Sequence, residues 1–420
     1  MTSRLAPDLR RTQVAPSLPR GARRAATSIS LIFLLALGAA APAHAQYLPS
    51  QPVSLAHGSV VIGTDVSFST STTDDDSAWF NYTDYEHNTM RLMRLGVSAH
   101  VRLNDRVSFL SEVRSENGDH IRPYGLYVRL RPWKARAIDI QAGRIPPTFG
   151  AFSRRAYANG NPLISYPLAY QYLTSLRPDS VPADADELLR MRARGWRPSY
   201  RTGNQSVTTG MPMLTAFRWD TGVQVHAAGT RVSGSAAVTT GTVSDPRVRD
   251  NNGGKQISGR AEWQPVIGFV LGASAARGPY LADRVRDLLG RTESSYERAL
   301  GFDVECSRDH WIVRSEGVWT RWDVPTLPTS LGAASGFVEG TYKVWPGVFV
   351  AARADRLTFS KVTGTTQTLT WDAPVTRMEI GVGVYARRNL LARTSYEHNW
   401  RDGGLIRSRR QLNVQLQFWL

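Results

Sequence analysis

Charged side chains recur at every second position in many segments of this chain, with small or apolar residues between them. Clear examples are Arg-Ala-Glu at 260–262, Arg-Ser-Glu at 314–316 and Arg-Met-Glu at 377–379. Residues two apart lie on one face of a β-strand. Carboxylates and guanidinium groups gathered on such a face could perform acid–base catalysis, or could line an aqueous passage and sort solutes by charge.

The sequence carries no recognisable catalytic motif. The eight His are scattered, and none has the i, i+4 spacing of a helical metal site. There is no G-x-S-x-G elbow, and Gly381-Val382-Gly383 lacks the third glycine of a nucleotide-binding loop. Cys306 is the only cysteine, so no disulfide and no cysteine-based metal site is expected. We therefore expect no enzyme activity, metal or cofactor, although carboxylates such as Glu112 or Glu379 leave a hydrolase open.

The charged positions belong to alternating segments of about ten residues, the length of a tilted membrane strand. Alternation of this kind hides apolar residues on one face, so no long apolar run is needed. Sixteen segments are predicted as strands: 59–69, 90–103, 106–116, 122–132, 136–145, 214–228, 230–242, 255–264, 267–277, 297–308, 310–322, 335–346, 347–360, 375–387, 389–401 and 407–420.

The connections between these segments alternate in length. Very short ones, such as Asn104-Asp105 and Pro346-Gly347, alternate with longer ones such as 70–89, 243–254 and 361–374. Short periplasmic turns and long outer loops are typical of outer-membrane barrels. The predicted fold class is therefore all-β, a transmembrane antiparallel β-barrel of about 16 strands.

The last ten residues read as the strand that closes this barrel. Their two faces differ completely, because alternate positions are apolar or carry amides. The apolar face holds Leu412, Val414, Leu416, Phe418 and Leu420, and the amide face holds Gln411, Asn413, Gln415 and Gln417. We expect the strand to pair with the first one, near residues 59–68.

The first 45 residues read as a cleaved signal peptide. An arginine-rich start precedes an apolar run from Ala25 to Ala43, and Ala43-His44-Ala45 is an A-x-A cleavage site. A retained membrane helix is the alternative. The predicted domains are thus the signal peptide at 1–45 and the barrel at 46–420, in the bacterial outer membrane. The formal net charge of +16 often indicates nucleic acid, but export argues against that partner and favours anionic solutes or lipopolysaccharide phosphates.

Tryptophans near the segment ends predict two aromatic girdles at the membrane interfaces. Trp133, Trp263, Trp345 and Trp419 fall near the periplasmic ends, and Trp219, Trp319, Trp322 and Trp400 near the outer ends.

Assignment of faces places many charges toward the lumen, because charge at mid-membrane is costly on the lipid face. The residues predicted as pore wall are Arg94, Arg102, Arg114, Arg129, Arg314, Arg353, Arg377 and Glu379.

The connection at 146–213 is far longer than the others, and loops of that length are usually functional. Ser180 followed by Pro182, with Gly195 beyond, predicts a short helix near 181–194. Folded into the lumen, this loop would place opposite charges across a narrow opening; as an external loop, its charges would merely be solvated. The predicted constriction residues are Arg190, Arg192, Arg194, Arg197, Asp184, Asp186 and Glu187.

Sixteen strands, a secretory signal and a dominant third outer loop together resemble the trimeric bacterial general porins. The resemblance implies a third loop inside the barrel that sets the pore size, a possible homotrimer, outer-membrane lipid and lipopolysaccharide around the barrel, and delivery to the barrel-assembly machinery through the C-terminal strand. The segment from Gly143 to Gly150 is also similar to the Gly…Pro-Phe-Gly segment of phosphate-selective porin-type proteins, with Thr148 inserted before Phe149. The family usually ends in Phe, where this chain has Leu420.

The predicted function is passive diffusion of small hydrophilic solutes with a weak anion preference. A substrate-specific channel or exporter, for phosphate or polysaccharide, is the first alternative. An outer-membrane hydrolase is the second.

Overall fold

The structure, a computed structural model, describes residues 52–72, 92–116, 118, 121–133, 136–155, 160–216, 218–404 and 407–420. The predicted signal peptide at 1–45 lies outside these ranges. Within them, no helix is both long enough and apolar enough to cross a membrane.

The described residues form β-strands joined by turns and loops, with a few short helices. The strands are β1 (Val53–Leu55), β2 (Val60–Ser71), β3 (Leu92–Arg102), β4 (Val107–Glu116), β5 (Arg122–Leu130), β6 (Ile138–Ile145), β7 (Ser180–Val181), β8 (Thr202–Gly203), β9 (Asp220–Ala228), β10 (Val232–Thr239), β11 (Gln256–Val266), β12 (Phe269–Pro279), β13 (Tyr296–Arg308), β14 (Trp311–Trp322), β15 (Leu331–Trp345), β16 (Val348–Phe359), β17 (Lys361–Thr363), β18 (Thr368–Thr370), β19 (Val375–Arg387), β20 (Leu390–Arg401) and β21 (Ser408–Trp419). The α-helices are Leu168–Gln171, Ala185–Arg190 and Asp283–Leu288, and the 3₁₀ turns are Ala56–Gly58 and Phe152–Arg155.

Sixteen of these strands form one closed antiparallel barrel. Each pairs with the next along the chain, β6 pairs with β9 across the long loop, β16 pairs with β19, and β21 returns to β2. The predicted fold class is confirmed, and the sixteen predicted segments match the sixteen barrel strands. The segment predicted at 214–228 begins later, at Asp220, because the backbone N–H groups of Leu214 and Thr215 bond instead to the carbonyls of Ala169 and Val243.

Charged and apolar residues occupy opposite faces of the strands, as expected. On β19, Met378 and Ile380 are exposed on the outer surface, whereas Arg377 and Glu379 are buried on the inner one. Soluble proteins show the reverse, with apolar residues inside and charged residues outside. The arrangement here follows from the cost of placing unpaired charge against hydrocarbon.

The closing seam forms where the sequence predicts it. Residues 413–419 of β21 pair with 65–71 of β2, and the amide face of β21 is buried inside the barrel. Gln417 Nε2 donates to Asp65 Oδ2 at 2.7 Å, and Gln415 Nε2 donates to Ser69 Oγ at 2.7 Å. Beside this pairing, β1 pairs with Val60–Ile62 at the start of β2.

The predicted aromatic girdle is wrong for two of the outer tryptophans. Trp319 and Trp400 are exposed on the outer surface, but Trp322 is fully buried and packs edge-on against Trp371, with ring centroids 5.9 Å apart. Trp322 lies on the inward register of β14, where outer loops cover it. Trp219 also points inward, and its ring lies over Gly125 with its centroid 5.2 Å from that of Tyr124.

Candidate functional site

The first half of the long loop bonds to the inner faces of successive strands. Its backbone N–H at Gly150 donates to Ser274 Oγ of β12 at 3.2 Å. Glu316 of β14 accepts from the Ala151 N–H at 2.8 Å and from the Tyr170 hydroxyl at 2.9 Å. The Glu316 carboxylate also accepts from the Phe152 N–H at 3.3 Å. It therefore provides hydrogen-bond partners for backbone N–H groups at the start of the 3₁₀ turn Phe152–Arg155, which would otherwise lack them.

Further along, the loop joins a buried network of charges on β15, β16 and β19. Arg353 pairs with Glu379 at 2.9 Å, with Asp355 at 3.0 Å and with Glu339 at 3.4 Å. Its Nη2 also donates to the Ser165 carbonyl at 2.9 Å. Glu379 in turn accepts from the Ser165 N–H at 3.2 Å and from the Ser165 hydroxyl. The predicted wall residues Arg353 and Glu379 therefore hold the loop.

Two more of the predicted wall arginines contact Tyr166 of the loop. Arg377 donates to the Tyr166 carbonyl at 2.9 Å and to Gln171 Oε1 at 2.6 Å, and it pairs with Glu397 at 3.4 Å. Arg94 of β3 donates to the Tyr166 hydroxyl at 3.0 Å. The loop thus bonds to strands from β12 round to β3, across the closing seam.

Apolar packing fixes the tip of this segment. Leu163 is buried against Phe349, Ala351 and Leu391 on the inner wall. A Cβ at Gly383 would overlap the Phe349 ring, and one at Gly381 would overlap Leu163, so both positions need glycine. The Gly381-Val382-Gly383 segment is therefore explained by close packing inside the barrel.

The second half of the loop holds the predicted constriction residues, and it contacts outer loops. The helix is shorter than predicted, at Ala185–Arg190, because Ser180 and Val181 form β7 and pair with β8. Asp184 rather than Ser180 caps it, accepting from the Glu187 N–H at 2.8 Å. Aspartate is a preferred N-cap, and Asp184 lies four residues beyond the predicted cap.

The seven predicted constriction residues divide into anchored and exposed ones. Asp186 accepts from the Thr365 N–H at 2.9 Å, and Arg192 donates to the Thr370 carbonyl at 3.0 Å. Glu187 is buried and accepts from the Ala183 N–H at 2.6 Å. The side chains of Arg190, Arg194 and Arg197 are exposed.

Asp372 of the loop between β18 and β19 is a buried anchor that the sequence did not single out. Its carboxylate accepts from the N–H groups of Ser175 at 2.6 Å and Ala193 at 2.9 Å, and from the Tyr172 hydroxyl at 3.2 Å. Burial raises the pKa of Asp372 above its usual range, against the opposite effect of these hydrogen bonds. Asp372 joins both halves of the long loop to one outer loop, a relationship that no local pattern could reveal.

Three of the other predicted wall arginines lie beside carboxylates. Arg114 pairs with Glu112 at 2.7 Å, and Arg314 pairs with Glu305 at 2.7 Å. Arg129 lies 4.0 Å from Asp139. Arg102, the last residue of β3, is exposed.

Cavities lie along the lumen beside these groups. One of ≈ 310 Å³ is bordered by Ser98, Glu112 and Trp219. A larger one of ≈ 780 Å³ lies below the loop tip, bordered by Asn161 and Lys343. In the described parts of the chain, no group of three or more His, Cys, Asp or Glu is arranged to hold a metal ion.

Comparisons with known proteins identify the fold. No family model and no curated protein matches this chain. Among solved structures, an anion-selective porin from Comamonas acidovorans matches with a TM-score of 0.54 at 9% identity, covering 86% of this chain and 99% of that one. OmpF of Salmonella typhi, in complex with daunomycin, matches with a TM-score of 0.54 at 11% identity over 86% and 97%. OmpT, an outer membrane protein of Vibrio cholerae, matches with a TM-score of 0.52 at 11% identity over 87% and 99%. The chain therefore has a porin-like β-barrel fold.

Proposed function

We propose that this protein is an outer-membrane channel through which small hydrophilic solutes diffuse passively, with a weak preference for anions. The observation that supports this most is the inner face of the barrel, where charged and amide side chains line the wall on most strands of a closed sixteen-strand ring. A barrel of this size can hold an aqueous channel, whereas an eight-stranded barrel fills its interior with side chains.

In this proposal, the loop at 146–213 narrows the lumen. Its first half covers the wall from β14 to β20, where Arg353, Arg377 and Glu379 have almost no solvent exposure. The wall formed by β3 to β6 is more open near the periplasm, where Ser98 and Arg102 are exposed. Solutes would therefore pass along the β3–β6 side of the lumen.

The anion preference rests on the exposed arginines of the loop's second half. The side chains of Arg190 and Arg201 are 60% and 75% exposed, and the buried Glu187 lies 3.9 Å from one and 3.8 Å from the other. Arg194 and Arg197 are exposed as well, so the second half of the loop presents four exposed guanidinium groups. This cluster would raise the local anion concentration at the outer entrance, while Asp184, Asp186 and Arg192 hold the loop in place.

The alternatives are less well supported. A dedicated phosphate or polysaccharide channel would be favoured by an uninterrupted column of arginines, yet Arg114 and Arg129 each lie beside a carboxylate. A hydrolase would need a carboxylate free to act on a substrate, and Glu379 instead accepts from the loop backbone. We also propose that the chain is cleaved after Ala45 and lies in the bacterial outer membrane, with lipid and lipopolysaccharide around the barrel. Strand β21 would deliver it to the assembly machinery, and the assembled protein would be a homotrimer.

Planar-bilayer recording of the refolded mature chain tests the proposal. We expect discrete conductance steps and, in a salt gradient, a reversal potential that indicates modest anion selectivity. Swelling assays with vesicles and neutral sugars of increasing size should give a size cutoff. A folded barrel that conducts no ions and admits no sugar would contradict the channel, and cation selectivity would contradict the anion preference alone.

A further inference from the structure

Three arginines lie side by side on the outer surface of the barrel. Register pairs Arg277 of β12 with Arg298 of β13, and Arg298 with Arg321 of β14. All three side chains are exposed on the face opposite the lumen, near the outer ends of their strands. We call them the arginine row.

This row carries an excess of positive charge. Arg298 pairs with Asp323 at 3.0 Å, and the Arg277 guanidinium lies 4.3 Å from the ring centroid of Tyr296. Like charges directly opposite on neighbouring strands repel each other. Arg277 and Arg298 repel each other in this way, and so do Arg298 and Arg321. An external anion that all three residues can reach would therefore stabilise the row.

Below the row, the same face is apolar and uneven. The next residues toward the periplasm are Ala275, Leu300 and Trp319, and Phe302 follows on β13. The rings of Phe302 and Trp319 meet edge-to-face at 6.1 Å, and Trp319 lies over Gly317. On the neighbouring side, the outward residues between Ile257 and Phe302 are small, namely Gly259, Ala261, Ala273 and Ala275. This surface matches hydrocarbon chains that run parallel to the strands.

We propose that the arginine row and the apolar surface below it form a binding site for one anionic lipid of the surrounding leaflet, whose headgroup carries phosphate monoesters. The guanidinium groups would bind the headgroup phosphates through charge-assisted hydrogen bonds, which are strong and often bidentate for arginine. The acyl chains would lie over Leu300, Phe302 and Trp319. The inference requires the barrel to lie in a bilayer, as in the proposed function, but it does not require conduction.

The test is native mass spectrometry of the detergent-purified mature barrel with added lipid A carrying two phosphates. The test variant is Arg277→Gln with Arg298→Gln and Arg321→Gln. The control is Arg356→Gln with Arg410→Gln, two outward arginines on β16 and β21 that have no arginine opposite them among the strand pairings that the structure describes. Because all five residues are on the surface, both variants should fold, and the heat-modifiable mobility of folded barrels on gels checks this.

We expect the native protein and the control to retain lipid A, and the triple variant to bind it at least tenfold more weakly. Phosphatidylcholine should bind all three proteins weakly, and millimolar inorganic phosphate should not displace lipid A. Equal retention by the triple variant would overturn the proposal, as would equal binding of phosphatidylcholine. Displacement by inorganic phosphate would show a site for free phosphate. A change of oligomeric state without a change in lipid retention would assign the row to a protein interface. Because conduction is measured separately, failure here leaves the channel proposal standing.

Discussion

Arg353 of β16 and Glu379 of β19 form an ion pair of 2.9 Å that is fully buried beneath Ser165 of the long loop. Each residue bonds both to the wall and to the loop, so the pair joins the long loop to the barrel. A buried charge without its partner is costly. The stability of the wall and the position of the loop should therefore change together.

Replacing Arg353 by methionine should destabilise the barrel by about 3–5 kcal/mol, because Glu339, Asp355 and Glu379 would lose their shared cation. Urea unfolding in lipid vesicles measures this. Arg356→Met on the same strand is the matched control, since its side chain is exposed outside the barrel, and it should change stability by no more than about 0.5 kcal/mol. Similar small effects in both variants would contradict the network's role.

Shortening Leu163 to alanine should release the tip of the loop and raise the single-channel conductance. The lost contacts with Phe349, Ala351 and Leu391 are worth about 2–5 kcal/mol for a leucine in a packed site. Leu300→Ala, on the outer face of β13, is the control and should leave conductance unchanged. A folded Leu163→Ala barrel with native conductance would mean that hydrogen bonds alone hold the loop.

Asp372 should make stability fall as pH rises through its pKa. Burial raises that pKa above the usual 3.8, so between the two values the folded chain binds more protons than the unfolded chain, and ionisation costs stability. The contribution is favourable below the usual carboxyl pKa and is lost above the raised one. Thermal unfolding of the native chain and Asp372→Asn should therefore show a Tm difference that moves against the native chain as pH rises. A pH-independent difference would exclude titration of Asp372.

Reversing two exposed charges, in Arg190→Glu with Arg194→Glu, should lower the anion-to-cation permeability ratio by about twofold or more. A twofold change needs only about 0.4 kcal/mol, within reach of screened charges near the solute path. Arg291→Glu, an exposed arginine of another outer loop, is the control. An unchanged reversal potential would place the helix at Ala185–Arg190 away from that path.

The strands were predictable because each carries its own two-residue period. Arg377 and Glu379 could be assigned to the lumen from Met378 alone, since a charge and a methionine cannot share the lipid face. The prediction for Trp322 is wrong because the aromatic pattern shows only that the residue lies near the end of its strand. It does not show which face of the strand the neighbouring loops cover. The structure of the long loop could not be predicted because it depends on residues distant in sequence. Asp372, for example, lies about 180 residues from Ala193. The pairing of β7 with β8 also prevents the helix from starting at Ser180.

The pairing of β1 with β2 sets the register of the last strand, β21. Val53–Leu55 already occupies the edge of β2 at Val60–Ile62, so β21 finds free backbone groups only from about Thr64 upward, where the Leu420 N–H bonds to the Thr64 carbonyl at 2.9 Å. Sliding by one residue would turn every amide of β21 toward lipid. A contact made within ten residues of sequence would thus fix the alignment of a strand that arrives some 350 residues later.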